Sequence, residues 1–289
     1  MITANMVNEL RGITGAGMMD CKKALVETNG DMDKAVDYLR EKGTIKAAKK
    51  ADRIAAEGLA KVFSKNNKAI ILELNCETDF VSSNENFKNL IDEIGNAILT
   101  SDANSLEEAL KVKVKDNTVE ELIVNSTATI GEKISLRRVE FVTKKDNEVF
   151  GSYIHMGGKI ATLTVLEGAN EEVAKDVAMQ AAAMKPEYLK EEDVPSERVE
   201  SEKKILKEQA MAEGKPAEIA EKMVTGRLKK FFKEICLVDQ AFIKDGDIDV
   251  KTYVKNNKGE VLSMIRFEVG EGMEKREDNF AEEVMNQIK

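Results

Sequence analysis

The sequence predicts an α+β protein with three parts: an N-terminal three-helix bundle, a duplicated core of antiparallel sheet plus helix, and a projecting antiparallel helical hairpin. Three observations predict it. Apolar residues recur at spacings of three and four through residues 1–43. Two stretches, 59–74 and 148–166, each read as two β-rich runs split by a short turn and followed by an amphipathic helix. From 187 to 230 the chain is intensely charged, with too few apolar residues per turn for a buried helix pair.

Composition sets outer limits. At 289 residues the chain is long enough for two or more domains and a sizeable core. It is 34% charged with a net charge of −9, which argues against a general basic surface for nucleic acid. Cys21, Cys76 and Cys236 lie far apart with no C-x-x-C pair, a pattern that fits a reducing, cytoplasmic setting. No charged-then-apolar leader is expected, and no apolar run approaches the roughly 20 residues of a membrane span. His155 is the only histidine, which excludes a multi-histidine metal site and leaves room for one histidine-based centre at most.

Thr3 is positioned to cap a helix that buries Met6, Val7 and Leu10. Gly12, Gly15 and Gly17 make a flexible turn. A second helix carries Cys21, Ala24, Leu25 and Thr28 on one face and stops at Asn29-Gly30. Asp31 caps a third, with Met32, Ala35, Val36 and Leu39 in register, ending at Gly43. Residues 1–43 resemble the ubiquitin-associated type of three-helix domain, whose usual role is to bind another protein. Met18 and Met19 stand at the start of the second helix, where they are either core or a flexible thioether contact surface. Residues 44–56 form a basic linker; Lys46, Lys49, Lys50 and Arg53 lie among alanines with no aromatic between them, so a solvated helical connector is the expected state.

Residues 57–143 form the first core subdomain. Leu59–Phe63, a polar turn at 65–68 and the apolar run Ala69–Leu74 read as a hairpin. Ser82-Ser83-Asn84-Glu85 has capping-box spacing, so a helix is expected from there, burying Phe87, Leu90, Ile91, Ile94 and Ile98. Thr78–Val81 is then a short loop between strand and helix. A phenylalanine at its tip either folds back into the core or stands exposed for something to receive it. Thr118 and Glu121 form a second capping box for a helix to Ile130, and 134–142 alternates as a strand. Residues 101–117 carry no motif. The second core subdomain, 144–186 and 231–269, repeats the order: 148–155, a Gly157-Gly158 turn, 159–166, then a helix buried through Ala174, Val177, Ala178 and Ala181. Residues 187–230 make the helical hairpin, with helices at 197–213 and 217–234 around Gly214-Lys215-Pro216. A strand at 261–272 leaves through glycines, and residues 270–289 form a C-terminal helical module whose helix, 278–287, carries Phe280, Ala281 and Val284, with Ile288 beyond it.

Four stretches carry a resemblance. They are Leu74-Asn75-Cys76-Glu77-Thr78-Asp79-Phe80-Val81, the string Thr14 to Leu25, Lys215 to Val224, and Arg266-Phe267-Glu268-Val269-Gly270-Glu271-Gly272. In order, and over nearly the whole chain, they are similar to the elongation factor Ts family. The resemblance implies a guanine-nucleotide exchange factor that binds elongation factor Tu carrying GDP, expels the GDP and lets GTP enter. It implies no catalytic residue, no covalent chemistry, no cofactor and no metal of its own. Thr78, Asp79, Phe80 and Val81 are implied to dislocate Mg²⁺ in the partner. Arg11, Met18, Met19, Lys22 and His155 are implied to touch it. The charged hairpin is implied to serve self-association as a homodimer or partner contact, and direct nucleic-acid or membrane binding is not expected.

Two other classes have discriminators. A thiol enzyme built on Cys76 and His155 would lose activity on alkylation of Cys76. An RNA-binding protein resting on Lys46 to Arg53 would show salt-sensitive RNA affinity. A generic ubiquitin-type module accounts for residues 1–43 and nothing beyond them.

Overall fold

The computed structural model describes residues 2–214 and 216–274. The expected C-terminal helix, with Phe280, Ala281, Val284 and Ile288, lies outside the described residues, as does Lys215. The chain forms two compact units. The first comprises Met1–Phe63, Leu72–Phe141 and the segment from Glu268; the second comprises Ser64–Ile71 and Val142–Phe267.

The first unit begins with α1 (Ala4–Thr14), α2 (Met18–Glu27) and α3 (Met32–Ala48). Thr3 and Asp31 cap α1 and α3 with their side chains, accepting from the N–H groups of Met6 and Lys34. Val7, Leu10, Cys21, Ala24, Leu25 and Ala35 make the bundle core, with Met6, Met32, Val36 and Leu39 packed against it. The expected stop of the third helix at Gly43 is not observed. Gly43 is buried, and α3 runs through it to Ala48, because the alanine- and lysine-rich sequence beyond it is itself helix-forming. The stretch read as a linker from residue 44 is therefore helical at its start.

Next come strands β1 (Glu57–Lys65) and β2 (Lys68–Cys76), joined by Asn66 and Asn67, with Asn66 at φ 54°. β2 is buried from Ala69 to Cys76. Then follow α4 (Asp79–Ser83) and α5 (Glu85–Leu99), whose buried face includes Phe87, Leu90, Ile91, Ile94 and Ile98. Gly95 lies against the ring of Phe63 from β1, so that a Cβ there would overlap the ring. The motif-free region holds a short helix, α6 (Leu106–Lys111), and a small ribbon, β3 (Lys113–Val114) with β4 (Asn117–Thr118). α7 (Val119–Ile130) carries the complete Thr118–Glu121 capping box. β5 (Ser135–Thr143) joins the hairpin to give the order β1-β2-β5.

The second unit repeats this plan. β6 (Glu148–His155) pairs antiparallel with β7 (Ile160–Glu167), His155 opposite Ile160. α8 (Glu171–Met184) packs on both strands. Thr162 and Thr164 of β7 donate their hydroxyls to the α8 carbonyls of Ala178 and Ala174, at 2.8 and 3.0 Å. Helices α9 (Ser196–Ala212) and α10 (Ala217–Ile235) pair with each other. Leu206 and Ala210 are buried between them, and Lys207–Glu221 and Arg227–Glu213 link their surfaces. After β8 (Ala241–Phe242), β9 (Asp245–Asp249) and α11 (Val250–Asn256), strand β10 (Glu260–Glu268) closes the second sheet in the order β10-β7-β6. Both three-stranded sheets thus consist of a hairpin and a later strand laid beside the hairpin's second strand. Among the described residues no helix is long and apolar enough to cross a membrane.

Candidate functional site

Thr78–Val81 is not a loop. Thr78 is the N-cap of α4, and Asp79, Phe80 and Val81 form its first turn. The capping box expected at Ser82–Glu85 is absent, because Ser82 and Ser83 already belong to α4 and Ser82 donates to the Asp79 carbonyl at 3.0 Å. Asn84 caps α5 instead, accepting from Asn86 N–H.

The turn presents its aromatic outward. Phe80 is 83% exposed, and Asp79 beside it is also exposed. The reading of Phe80 as ordinary core is therefore overturned. Its neighbours behave differently. Cys76 and Ser82 are buried on either side, and the Cys76 thiol donates to the Thr78 carbonyl at 3.2 Å.

A set of polar bonds from distant sequence fastens the turn. Glu132 Oε2 accepts the backbone N–H groups of Glu77 and Thr78, at 3.1 and 3.0 Å, and its Oε1 accepts the Thr78 hydroxyl at 2.6 Å. In return, the Lys133 N–H donates to Glu77 Oε1 at 2.6 Å. Arg53 Nη1 also donates to Glu77, and Lys133 Nζ donates to the carbonyls of Ala51 and Arg53. Lys50 donates to the Gly131 carbonyl. Residues 50–53, 77–78 and 131–133 are thereby tied together within the first unit. Sequence reading missed Glu77, Glu132, Lys133 and the role of Arg53. The only signal was a pair of Glu-centred fragments some fifty residues apart, and nothing local marks them as partners.

The basic stretch is largely exposed, as a solvated connector would be, and it also carries bonds to the rest of the first unit. Of its four cations, Lys46 pairs with Asp20 at 2.9 Å, Lys50 holds Gly131, and Arg53 holds Glu77. Of the cations on which the RNA-binding reading rests, Lys46 and Arg53 are each paired with a carboxylate. The thiol-enzyme reading loses its nucleophile, since Cys76 is fully buried and serves as a donor beneath the turn.

The other residues singled out lie on two surfaces. Met18 and Met19 are 53% and 72% exposed at the start of α2, so neither is core. Their position follows from the string before them. The Gly15 N–H closes α1 on the Arg11 carbonyl at 2.8 Å, the Thr14 hydroxyl takes the Ala16 N–H, and the Cys21 thiol reaches back to the Ala16 carbonyl. Met19, Lys22 and Val26 share one exposed face of α2 at spacings of three and four, and Arg11 is exposed on α1. Val26 was not anticipated. His155 belongs to the second unit, at the tip of the β6–β7 hairpin, with exposed Ile154 and Met156 beside it. Tyr153 lies on the same strand face, and its ring stacks with His155 at a centroid distance of 6.0 Å.

A family model described as elongation factor TS matches residues 77–271. The chain belongs to the elongation factor Ts family. The family role is nucleotide exchange on elongation factor Tu, which makes elongation factor Tu the partner. The match to elongation factor Ts starts at Glu77. It takes in the fastened turn, His155 and the α9–α10 hairpin, and begins after the helical bundle that carries Arg11, Met18, Met19 and Lys22.

Proposed function

We propose that the α4 turn is the element that expels the nucleotide. The observation that carries this reading is a large aromatic held 83% exposed on a turn fastened by polar bonds on its inner side. Phe80 acts as a wedge pushed between helices of elongation factor Tu, with Thr78 and Val81 framing it. Asp79 brings a carboxylate beside the Mg²⁺ that helps the partner hold GDP. Mg²⁺ needs near-ideal octahedral oxygen geometry, so a small displacement of its surroundings loosens it sharply. The phosphate contacts then fail, and no covalent bond is made or broken.

Arg11, Met18, Met19 and Lys22 on the bundle, and His155 on the hairpin tip, supply further contact with the partner. Linkage makes the effect reciprocal: the factor by which bound elongation factor Ts weakens GDP is the factor by which GDP weakens the complex. Each tenfold requires about 1.4 kcal/mol of differential contact, and a buried aromatic anchor supplies roughly 2 kcal/mol or more. Phe80 thus accounts for roughly a 30-fold share. The remaining acceleration comes from Asp79 and the other contacts. The α9–α10 hairpin, with Ile205, Met211 and Ile219 exposed, is read as an arm for a second copy of the chain or for the partner.

The test is release of a fluorescent GDP from elongation factor Tu, with the parent protein and with Phe80→Ala. Acceleration by the parent, reduced roughly 30-fold in the variant, is expected. Equal acceleration by both would move the mechanism away from the turn.

A further inference from the structure

We infer that Glu132 is a positioning residue for exchange, acting through Phe80 without contacting the partner. The inference rests on the reading of the α4 turn as the expelling element. It comes from the direction and connectivity of the bonds on Glu132.

Glu132 is delivered by a short link. Gly131 ends α7 in the left-handed region at φ 92°, and its N–H closes on the Thr127 carbonyl. Two residues after Glu132, the Ile134 N–H donates to the buried Thr127 hydroxyl at 3.1 Å, just before β5 begins. The backbone on either side of Glu132 is therefore fixed to the end of α7. Its half-buried carboxylate then places all three of its hydrogen bonds on Glu77 and Thr78, immediately ahead of Asp79 and Phe80.

The third bond has a further consequence. A threonine hydroxyl rotates freely and can donate in any of several directions. By accepting that proton at 2.6 Å, Glu132 turns the Thr78 lone pairs toward α4, where the Val81 N–H donates to the same oxygen at 3.4 Å. The result is a relay, Val81 N–H to Thr78 Oγ1 to Glu132 Oε1, in which each bond polarises the next. Phe80 is spanned by that relay, between its two ends. Helices leave their first N–H groups without internal partners, and in a five-residue helix the cap governs most of the element. Without Glu132 the cap loses its orientation, and Phe80 must be ordered again each time the partner is met.

The Lys133-to-Glu77 bond crosses the Glu132 bonds in the opposite sense, so the 77–78 and 132–133 backbones brace each other. Glu132→Ala removes one half of this brace and leaves the Glu77 half in place. Glu132→Gln keeps a carbonyl for the two N–H groups, and its amide faces a hydroxyl that can turn to accept.

The test measures the maximal GDP release rate and the half-saturating concentration on elongation factor Tu. The four proteins are Glu132→Ala, Glu132→Gln, Phe80→Ala and Glu132→Ala/Phe80→Ala, each first shown folded by circular dichroism. Glu132→Ala is expected to lower the maximal rate roughly tenfold, the equivalent of one hydrogen bond to a charged group. Glu132→Gln should recover most of that rate. The double variant should be no slower than Phe80→Ala alone, because a positioning residue has nothing left to position. A merely structural role would lower the rate by the same factor in both backgrounds, and that outcome overturns the inference. Glu132→Ala at the parental rate, with Phe80→Ala slow, overturns it while leaving the turn as the expelling element. Phe80→Ala at the parental rate overturns both.

Discussion

Replacing Glu73 by glutamine removes one charge from the interior of β2 and sets an amide among hydrogen-bond donors. Glu73 is fully buried. Its Oε1 accepts from Asn75 Nδ2, Arg137 Nη1 and the Gly270 N–H, at 3.0, 3.1 and 2.9 Å. Its Oε2 accepts from Arg137 Nη1 and Arg138 Nε, at 3.2 and 2.6 Å. Every one of these partners is a donor. A glutamine must present its NH₂ to one side of this set of donors, and with the carbonyl toward Gly270 the amide meets two guanidinium donors.

Two charge-assisted bonds are lost, each worth roughly 1.5–3 kcal/mol. The arginine side chains are 25% and 28% exposed, and both retain a carbonyl partner, Glu271 for Arg137 and Glu268 for Arg138. Water therefore recovers part of the loss, which places it near the low end of the range for breaking a buried pair, about 3 kcal/mol. That is a large fraction of the roughly 5–15 kcal/mol that stabilises a typical domain. Urea unfolding by far-ultraviolet circular dichroism, with hydrogen exchange at the 72–76 amides, measures it. Adding Arg138→Met should recover part of the loss by removing one of the two guanidinium donors that the amide faces. A midpoint within about 1 kcal/mol of the parent, or an Arg138→Met cost identical in both backgrounds, would refute the reasoning.

Gly95→Ala would drive a methyl into the Phe63 ring and is expected to cost roughly 1–3 kcal/mol, read from the urea midpoint; Gly95→Ala/Phe63→Leu should recover part of it. High pH should weaken the second unit. Burial, followed by Asp239 and the Glu191–Asp193 acids, pushes the Cys236 thiol up to about 12, and burial followed by the Asp176 hydrogen bond pushes Tyr253 to about 12. Both groups are neutral when protonated and release their protons earlier in the unfolded chain. Their contribution is therefore complete below the ordinary thiol range and is lost as pH rises from about 9 toward 12. The unfolding midpoint should fall over that window, and Cys236→Ala/Tyr253→Phe should flatten the fall.

Much of the fold is legible because apolar spacing reports burial directly. The buried faces of α5 and α8, the Thr3, Asp31 and Thr118 caps and the β6–β7 hairpin each arise from residues a few positions apart. What the sequence hides depends on separation. Glu73 sits in the run Ala69–Leu74 and reads as an interruption of an apolar strand, yet it anchors Gly270, nearly two hundred residues away. Glu132 and Glu77 look like any surface glutamates until the backbone brings them together. Ser82-Ser83-Asn84-Glu85 misleads for a local reason: two overlapping cap patterns compete, and Thr78, held by Glu132, starts a helix first. Phe80 faces outward on the turn that this same distant carboxylate fastens.

An outward Phe80 must be held against its own tendency to be buried. Burying a phenylalanine is worth about 1.5–3 kcal/mol, and at 83% exposure most of that gain is forgone in the free protein. The three bonds on Glu132 and the Lys133 bond to Glu77 are all made to carboxylates, and even two of them at about 1.5 kcal/mol each match the gain. Apolar packing could not hold the ring outward, because an apolar anchor beneath the turn would offer Phe80 a place to fold into. Phe80→Ala alone is then expected to separate stability from exchange. Removing an exposed ring should leave the urea midpoint within about 0.5 kcal/mol of the parent while nucleotide release slows. A clear loss of stability would mean that Phe80 contributes to the core, and the turn would then be packed by its aromatic instead of held in spite of it.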